Sequence, residues 1–350
     1  MSTEKRKREH LAPFKDTGVP ARKATTWLEC VHLVHQPLPE LALDEVDISV
    51  TFAGHPFRAP LFITGMTGGT EEARAVNRTL ARVAERMGIG FGLGSQRAMV
   101  EDPTLAETYA VRDCAPNVFL AGNIGGVQLA RLPLATVQDM VSRVQADALC
   151  VHLNPAQELV QAGGDRDFRG VASAIKEAVA HLTVPIIVKE VGCGVSREAA
   201  RRLIDLGVRH LDTAGLGGTS WVGVELLRGG RDSDPDLAAF WDWGIPTAAS
   251  VLEVAGLGLE VIASGGIRTG LDAARAIALG ATLVGVAAPV LQAYFLGGEA
   301  LVQARLEAIV MGIKQAMLLT GSRDIWAFQK APKVLLTPLL EWVRQRGGNE

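Results

Sequence analysis

From Leu61 to Val286 the chain alternates short apolar runs with longer stretches in which apolar residues recur every three or four positions. Short apolar runs bounded by glycine or polar residues are typical of buried parallel strands, and the longer periodic stretches are typical of amphipathic helices. The predicted strands are Leu61 to Thr64, Gly88 to Gly92, Val118 to Gly122, Ala148 to His152, Ile186 to Lys189, His210 to Thr213, Leu259 to Ala263 and Thr282 to Val286. Eight strand–helix units in a stretch of this length match the size of a (β/α)8 barrel.

The predicted helices support this fold. Glu71 to Met87 carries one apolar stripe with arginine and glutamate opposite, and Ser196 to Leu206 opens with a capping serine and closes at Gly207. A doubly wound sheet is the alternative, but it does not usually need eight units. The predicted fold class is therefore α/β, a (β/α)8 TIM barrel with an N-terminal extension and additional C-terminal helices.

Outside the barrel, residues 1–60 are irregular, with a predicted helix near Thr3 to His10 and a hairpin between Val46 and Phe57 that turns at Gly54 and His55. Residues 61–320 are predicted to form the barrel, and residues 321–350 a helical segment packed on it. Ala300 to Leu319 and Lys330 to Arg346 are predicted helices. The longest break in the alternation, Gly217 to Gly244, is predicted to be a lid or an oligomer contact.

Composition narrows the class of protein. The chain has 350 residues, 48% of them hydrophobic, and a formal net charge of −3, which argues against a nucleic-acid-binding protein. Its four cysteines are scattered, as in proteins of a reducing compartment, and no apolar segment follows the basic N-terminus, so a cytoplasmic location is expected. By length alone Ala276 to Gly298 could span a membrane, but glycines and Pro289 interrupt it, and no membrane association is predicted.

The stretch Val261 to Pro289 indicates a phosphate site. Its strand runs into Ser264-Gly265-Gly266-Ile267-Arg268-Thr269-Gly270, a helix is expected from Asp272, and the next strand ends at Ala287-Ala288-Pro289. Paired glycines let backbone amides approach an anion, and the last two strands of such barrels commonly hold a phosphate. The alternative is that the glycines only terminate a strand.

Polar residues follow almost every other predicted strand. Because the carboxyl ends of barrel strands meet at the face that carries active sites, these residues are expected to form one ring. The ring comprises Met66, Thr67, Gly68, Ser95, Gln96, Arg97, Asn123, His152, Asn154, Gln157, Glu158, Lys189, Thr219 and Trp221. Taken singly, Asn123 could cap a turn and His152 could be a core histidine, so the inference depends on the whole ring.

The motifs that carry this ring, GMTGG, GSQR, GNIGG, HLNPAQE, KEVGCG, AGLGGTSW and SGGIRTG, are accompanied by RKREHL near the start. Together they resemble the FMN-dependent type 2 isopentenyl-diphosphate isomerase family over about Arg6 to Pro289. HLNPAQE and RKREHL are the specific motifs, since other FMN barrels share the glycine-rich ones.

The resemblance implies a role for each matching residue. The FMN ring would contact Met66, Thr67, Gly68, Ser95, Asn123, Lys189 and Thr219, and the FMN phosphate Gly266, Ile267, Arg268, Ala287 and Ala288. Substrate would contact Arg6, Lys7, His10, Ser95, Gln96, Arg97, Asn154 and Gln157. Glu158 would bind Mg²⁺. The catalytic residues would be Gln157, His152, Trp221 and Glu225. For Lys5 to Arg8 the alternative is a solvated tail, and for Glu158 it is a structural salt bridge.

The implied activity is conversion of isopentenyl diphosphate to dimethylallyl diphosphate by allylic proton transfer, in isoprenoid biosynthesis. It would use reduced FMN and Mg²⁺, with NADPH as reductant, in a homo-oligomer of four or eight chains. The alternative is an FMN-dependent oxidoreductase of the 2-hydroxy-acid or nucleotide dehydrogenase type. Such enzymes would be expected to show a histidine with a neighbouring arginine, or a cysteine, after the sixth strand, where Ala214 to Trp221 has neither.

Overall fold

A computed structural model describes residues 18–347 and contains a closed barrel of eight parallel strands. In chain order the barrel strands are β1 (Leu61–Ile63), β2 (Gly90–Gly92), β3 (Phe119–Gly125), β4 (Ala148–His152), β5 (Ile186–Lys189), β6 (His210–Asp212), β7 (Glu260–Ala263) and β8 (Leu283–Val286). Each strand pairs with the next along the chain, and β8 closes the barrel on β1 with Val284 opposite Leu61. All eight predicted strands are confirmed, so the predicted barrel is present.

Helices surround the barrel. They are α1 (Glu71–Met87), α2 (Arg97–Glu101), α3 (Gly126–Arg131), α4 (Leu134–Val144), α5 (Pro155–Val160), α6 (Val171–His181), α7 (Arg197–Asp205), α8 (Trp221–Arg228), α9 (Pro235–Ala238), α10 (Thr247–Val254), α11 (Gly270–Ala278), α12 (Ala288–Leu319), α13 (Ile325–Lys330) and α14 (Leu339–Gly347). The predicted helix Glu71 to Met87 is confirmed at both ends, and Ser196 caps α7 by accepting from the backbone of Ala199. The stretch Ala276 to Gly298 divides into the end of α11, β8 and the start of α12, as predicted. Over residues 18–347 no helix has both the length and the apolar character that crossing a bilayer requires.

A hairpin covers the amino ends of the barrel strands. It is formed by Val50–Phe52 and His55–Phe57, and it turns at Ala53 and Gly54, one residue earlier than predicted. Its Phe52 and Phe57 pack against Phe119 at the start of β3. This end of the barrel is therefore filled by aromatic side chains, and the functional site must lie at the other end.

The prediction of one helix from Lys330 to Arg346 is wrong in its first half. Lys333–Leu335 forms a strand that pairs antiparallel with Val31–Leu33, and a helix begins only at Leu339. Pro332 and Pro338 explain the difference, because proline lacks an amide proton and disfavours helical backbone in the residue before it. Pairing with a strand some 300 residues away could not be read from local periodicity.

Candidate active site

A cavity of about 460 Å³ opens at the carboxyl ends of the barrel strands, and all eight strands or the loops after them line it. Of the residues predicted for the site, those that line this cavity are Met66, Thr67, Ser95, Arg97, Asn123, His152, Asn154, Gln157, Glu158, Lys189, Thr219, Trp221, Gly266, Ile267, Arg268, Ala287 and Ala288. The fold therefore brings together a ring that is spread over more than 200 positions of sequence.

Three other predicted residues do not line the cavity. Gln96 is fully buried, and its Oε1 accepts from the backbone nitrogen of Asn123 at 2.9 Å, so its place is that of a support for Asn123. Gly68 lies against the Tyr109 ring, and Glu225 is buried behind Gln157. The predicted substrate contacts Arg6, Lys7 and His10 lie outside the described residues.

The glycine loop after β7 forms a cradle of backbone groups. Gly265 and Gly266 have φ of 99° and 75°, in the left-handed region that favours glycine. A Cβ on Gly266 would lie 2.7 Å from the carbonyl oxygen of Gly217, so the loops after β6 and β7 are in backbone contact. The Arg268 guanidinium donates to that same oxygen at 3.2 and 3.3 Å. This arrangement suits a phosphate.

Thr67, on the β1 side of the cavity, has a hydroxyl oxygen that is buried and has no hydrogen-bond partner within residues 18–347. A buried hydroxyl without a partner is costly, and an unsatisfied group of this kind in a cavity wall is typical of a ligand site. Thr67 and the glycine cradle therefore fit a polar ligand that carries a phosphate, as FMN does.

A buried charge network lies beneath the cavity, around Lys189 at the end of β5. Its Nζ donates to the carbonyl oxygen of Glu190 at 2.5 Å and lies 4.0 Å from Asp212 at the end of β6. Asp212 also accepts from the Ser264 hydroxyl at 2.6 Å. Burial raises the pKa of Asp212, although Lys189 and Ser264 oppose that shift. The network holds the ammonium of Lys189 at the cavity wall.

The loop after β5 is shaped by Glu190. Its Oε2 accepts from three successive backbone amides, those of Val191, Gly192 and Cys193. Burial nevertheless raises the pKa of Glu190 to about 7, against the effect of those donors. All three bonds go to Oε2, so a proton taken up by this carboxyl group would sit on Oε1.

The wall formed by β4 and α5 is a chain of hydrogen-bonded side chains. Gln157 donates from Nε2 to Oε1 of Glu225 at 3.1 Å, and its Oε1 accepts from Asn154 at 3.1 Å. Asn154 also donates to Glu158 at 3.1 Å. Arg228 donates to the second oxygen of Glu225 at 2.9 Å from Nε. The amide of Gln157 is therefore fixed in one orientation, since a carboxylate paired with arginine only accepts.

His152 is oriented by Asn123. Its Nδ1 lies 2.8 Å from Oδ1 of Asn123, while Nδ2 of Asn123 donates to the backbone oxygen of Leu93 at 3.0 Å. Because that second bond turns the amide oxygen toward the ring, Nδ1 of His152 carries the proton in this arrangement.

One wall of the cavity comes from the first described residues. Gly18, Val19 and Pro20 line it, and the backbone amides of the residues that follow, Arg22 to Ala24, donate to the carboxylate of Asp242. Asp242 lies in the insertion after β6, for which the predicted role of lid or oligomer contact stays a prediction. In this structure the insertion holds the N-terminal segment against the cavity.

Sequence reasoning missed three supporting residues, Asp212, Arg228 and Asp242. A signal existed for Asp212, because a carboxylate within a short apolar strand marks a strand end that faces a polar site. Arg228, at the end of α8, and Asp242 belong to an insertion rich in charged residues and carried no distinguishing signal.

Comparison with known proteins gives a matching family, sequence relatives and a similar solved structure. Residues 132–332 match the family described as FMN-dependent dehydrogenase. The isopentenyl-diphosphate delta-isomerase of Pyrococcus furiosus is 46% identical over 97% of this chain and 89% of its own length, and that of Aeropyrum pernix is 46% identical over 99% and 93%. A crystal structure of mandelate oxidase superposes with a TM-score of 0.65 at 19% identity, covering 93% of this chain and 94% of that one, which shows a common fold.

Proposed function

This chain belongs to the isopentenyl-diphosphate delta-isomerase family, and from that membership we propose that it converts isopentenyl diphosphate to dimethylallyl diphosphate with FMN and Mg²⁺. The observation that carries the proposal is the position of Gln157, which lies on α5, is bonded from behind by Glu225 of α8, and lines the same cavity as the glycine cradle after β7. A phosphate-bearing cofactor and a proton-handling wall would thus share one space.

The residues fit FMN. Its phosphate would be held by Gly266, Ile267, Arg268, Ala287 and Ala288. The buried hydroxyl of Thr67 would form a hydrogen bond to its ring. Met66, Ser95, Asn123, Lys189 and Thr219, which also line the cavity, would contact the ring. When bound in its reduced form, FMN would supply an electron-rich ring with a protonatable nitrogen. Lys189, held by the Asp212 network, would place a positive charge at the edge of that ring.

The reaction adds a proton at one alkene carbon and removes one two carbons away, so substrate and product have the same oxidation state. An unactivated alkene is a very weak base, and the cationic transition state needs strong stabilisation. Gln157 is held from both ends of its amide, and it would orient or relay the proton. Trp221 would present an aromatic face to developing positive charge, and His152 would present a defined tautomer.

Glu158 is proposed to bind Mg²⁺ together with the substrate diphosphate. Mg²⁺ keeps several waters and is usually held by one or two carboxylates plus substrate phosphates. In keeping with this, residues 18–347 contain no cluster of three or more acidic, histidine or cysteine side chains that could hold a metal ion by themselves. NADPH as reductant, an assembly of four or eight chains, a cytoplasmic location and the basic arm with Arg6, Lys7 and His10 stay predictions.

The direct experiment incubates the purified protein with FMN, dithionite, MgCl₂ and isopentenyl diphosphate under argon, and follows dimethylallyl diphosphate by NMR. Product is expected only with reduced FMN and Mg²⁺, and deuterium from D₂O should enter it. NADPH, if present, should not be consumed in proportion to product. Oxidation of a 2-hydroxy acid without isomerisation would instead favour the dehydrogenase alternative.

A further inference from the structure

Arg305, on α12, lies beside the glycine cradle although nothing in the chain's motifs marks it. Its side chain lines the cavity, and its Nη2 donates to the carbonyl oxygen of Arg268 at 3.0 Å. The approach of two helices puts it there: a Cβ on Gly270, at the start of α11, would lie 2.6 Å from the Cα of Gly312 in α12. With the two helix backbones in contact, an arginine two turns before Gly312 reaches the loop that precedes α11.

The guanidinium of Arg305 keeps hydrogen-bonding capacity for a ligand. A guanidinium has five N–H donors, and the bond to Arg268 uses one. In the part of the chain that the structure describes, no carboxylate lies within ion-pair distance of Arg305. A cation at a cavity wall without an acidic partner favours an anionic ligand.

Arg268, the cation predicted from the motif, already uses some of its hydrogen-bond donors on backbone oxygens. Its Nη1 donates to the carbonyl oxygens of Gly217 and Gly266, and its Nη2 to that of Gly217. A phosphate monoester carries nearly two negative charges at neutral pH, and the residues after β8, Ala287 and Ala288, have no charge to add. One arginine therefore leaves much of the phosphate charge unmatched.

We infer that Arg305 is a second cation for the FMN phosphate, acting together with Arg268. This inference rests on the proposed function, since it requires that the cavity bind FMN. The competing explanation is that Arg305 only braces the loop through the carbonyl oxygen of Arg268. In that role, replacing Arg305 would change the affinity for a charged and an uncharged flavin equally.

The test compares two flavins and two pH values. For the flavin-free protein, the dissociation constants of FMN and of riboflavin are measured by fluorescence quenching. The proteins compared are wild type, Arg305→Met and Arg305→Lys. The matched control is Arg344→Met, because Arg344 is an exposed arginine on α14. Arg305→Met should weaken FMN binding on the order of tenfold at pH 8, where the phosphate is a dianion, and clearly less at pH 5.5, below its second pKa of about 6. Riboflavin binding should be unchanged, Arg305→Lys should retain most of the FMN affinity, and the control should match wild type.

An unchanged FMN affinity in Arg305→Met would overturn the inference, and so would an equal loss for riboflavin or a loss independent of pH. In those cases wild-type FMN binding would leave the proposed function standing. A wild-type protein that binds neither flavin would overturn both.

Discussion

The amide nitrogen of Gln157 lies 3.1 Å from Oε1 of Glu225, and Arg228 donates to the other oxygen of that carboxylate. Glu225 is buried, so its pairing with Arg228 keeps it an acceptor and turns the Gln157 amide one way. The Glu225→Gln variant has a side chain that can donate as well as accept, and it should leave Gln157 with two orientations. We expect kcat for isomerisation to fall roughly 10- to 100-fold.

That loss should come with unchanged FMN affinity and an unchanged fold by circular dichroism. Glu341→Gln, an exposed acid on α14, is the control and should behave as wild type. A Glu225→Gln enzyme with wild-type kcat would show that Gln157 needs no fixed orientation.

Glu158 offers a prediction about the metal. The Glu158→Gln variant keeps the size of the side chain but replaces a hard anionic ligand by a neutral amide. The Mg²⁺ concentration for half-maximal rate should rise about tenfold or more, with FMN binding unaffected, when rates are measured across a MgCl₂ titration. Glu177→Gln, on the exposed side of α6, supplies the comparison. If the Mg²⁺ dependence did not move, Glu158 would be a structural residue that holds Asn154 and the amide of Asp165.

Gly266 and Gly256 have nearly equal φ but different surroundings, so their alanine variants distinguish backbone strain from steric crowding. Gly266 has φ 75° and Gly256 has φ 78°, but a Cβ on Gly266 would lie within 3 Å of Thr26 and Gly217, while one on Gly256 would meet nothing within 4 Å. The left-handed backbone should cost each Gly→Ala variant about 1 kcal/mol of unfolding free energy, and the contact with Gly217 should add to that loss in Gly266→Ala. Gly266→Ala should in addition weaken FMN binding, measured by flavin release on dialysis, and Gly256→Ala should not. Equal flavin retention in both variants would place the phosphate elsewhere.

Much of this architecture was accessible to sequence reasoning because the barrel repeats one local pattern. Each strand is an apolar run that ends in glycine or polar residues, so both the fold and the ring of site residues could be predicted. Gln96 shows the limit: a polar residue in a loop can face the cavity or the core, and here it faces the core beneath Asn123. Arg305 looks in sequence like any solvated arginine on a helix. Its side chain is indeed exposed, and only the contact of two helices places it at the cavity wall.

Glu190 gives the stability a predictable dependence on pH. Its pKa is raised by burial from 4.5 to about 7, so between these values the folded protein holds a proton that the unfolded chain has lost. Its contribution to the free energy of unfolding is therefore full below pH 4.5 and is lost as pH rises toward 7. In Glu190→Gln this slope should be absent, and the midpoint of thermal unfolding relative to wild type should rise between pH 5 and pH 8. A difference that stays constant with pH would mean that the three backbone donors keep Glu190 ionised.

Arg346 anchors the end of the C-terminal helix, which Trp342 also ties to Glu253 and Leu339 to the core. Arg346 donates from Nε and Nη2 to the two oxygens of Glu253, at 2.9 and 3.0 Å, and also to Glu198. Glu253 is 2% exposed, so Arg346→Ala would leave a buried carboxylate without its cation. A loss of about 1 to 3 kcal/mol is expected in urea unfolding, reduced from the full value of a buried pair because Arg346 is partly exposed.

The exposed neighbour Arg344→Ala should lose less than about 0.5 kcal/mol. In a double variant that also carries Glu253→Gln, part of the loss caused by Arg346→Ala should be recovered. Equal stability of the two arginine variants would show that α14 is held by its apolar contacts alone.

The pairing of β8 with β1 also bears on the order in which the protein folds and binds its cofactor. Thr67 follows the first barrel strand and Ala287 follows the last, so the two sides of the proposed FMN site meet only when this seam closes. Leu61 and Val284 are far apart in the chain, and joining them is the most entropically demanding contact of the barrel. A ligand that touches both sides binds only the closed form and draws the equilibrium toward it. Flavin capture would then be a late event in the maturation of this protein, one that seals the barrel as it completes the site.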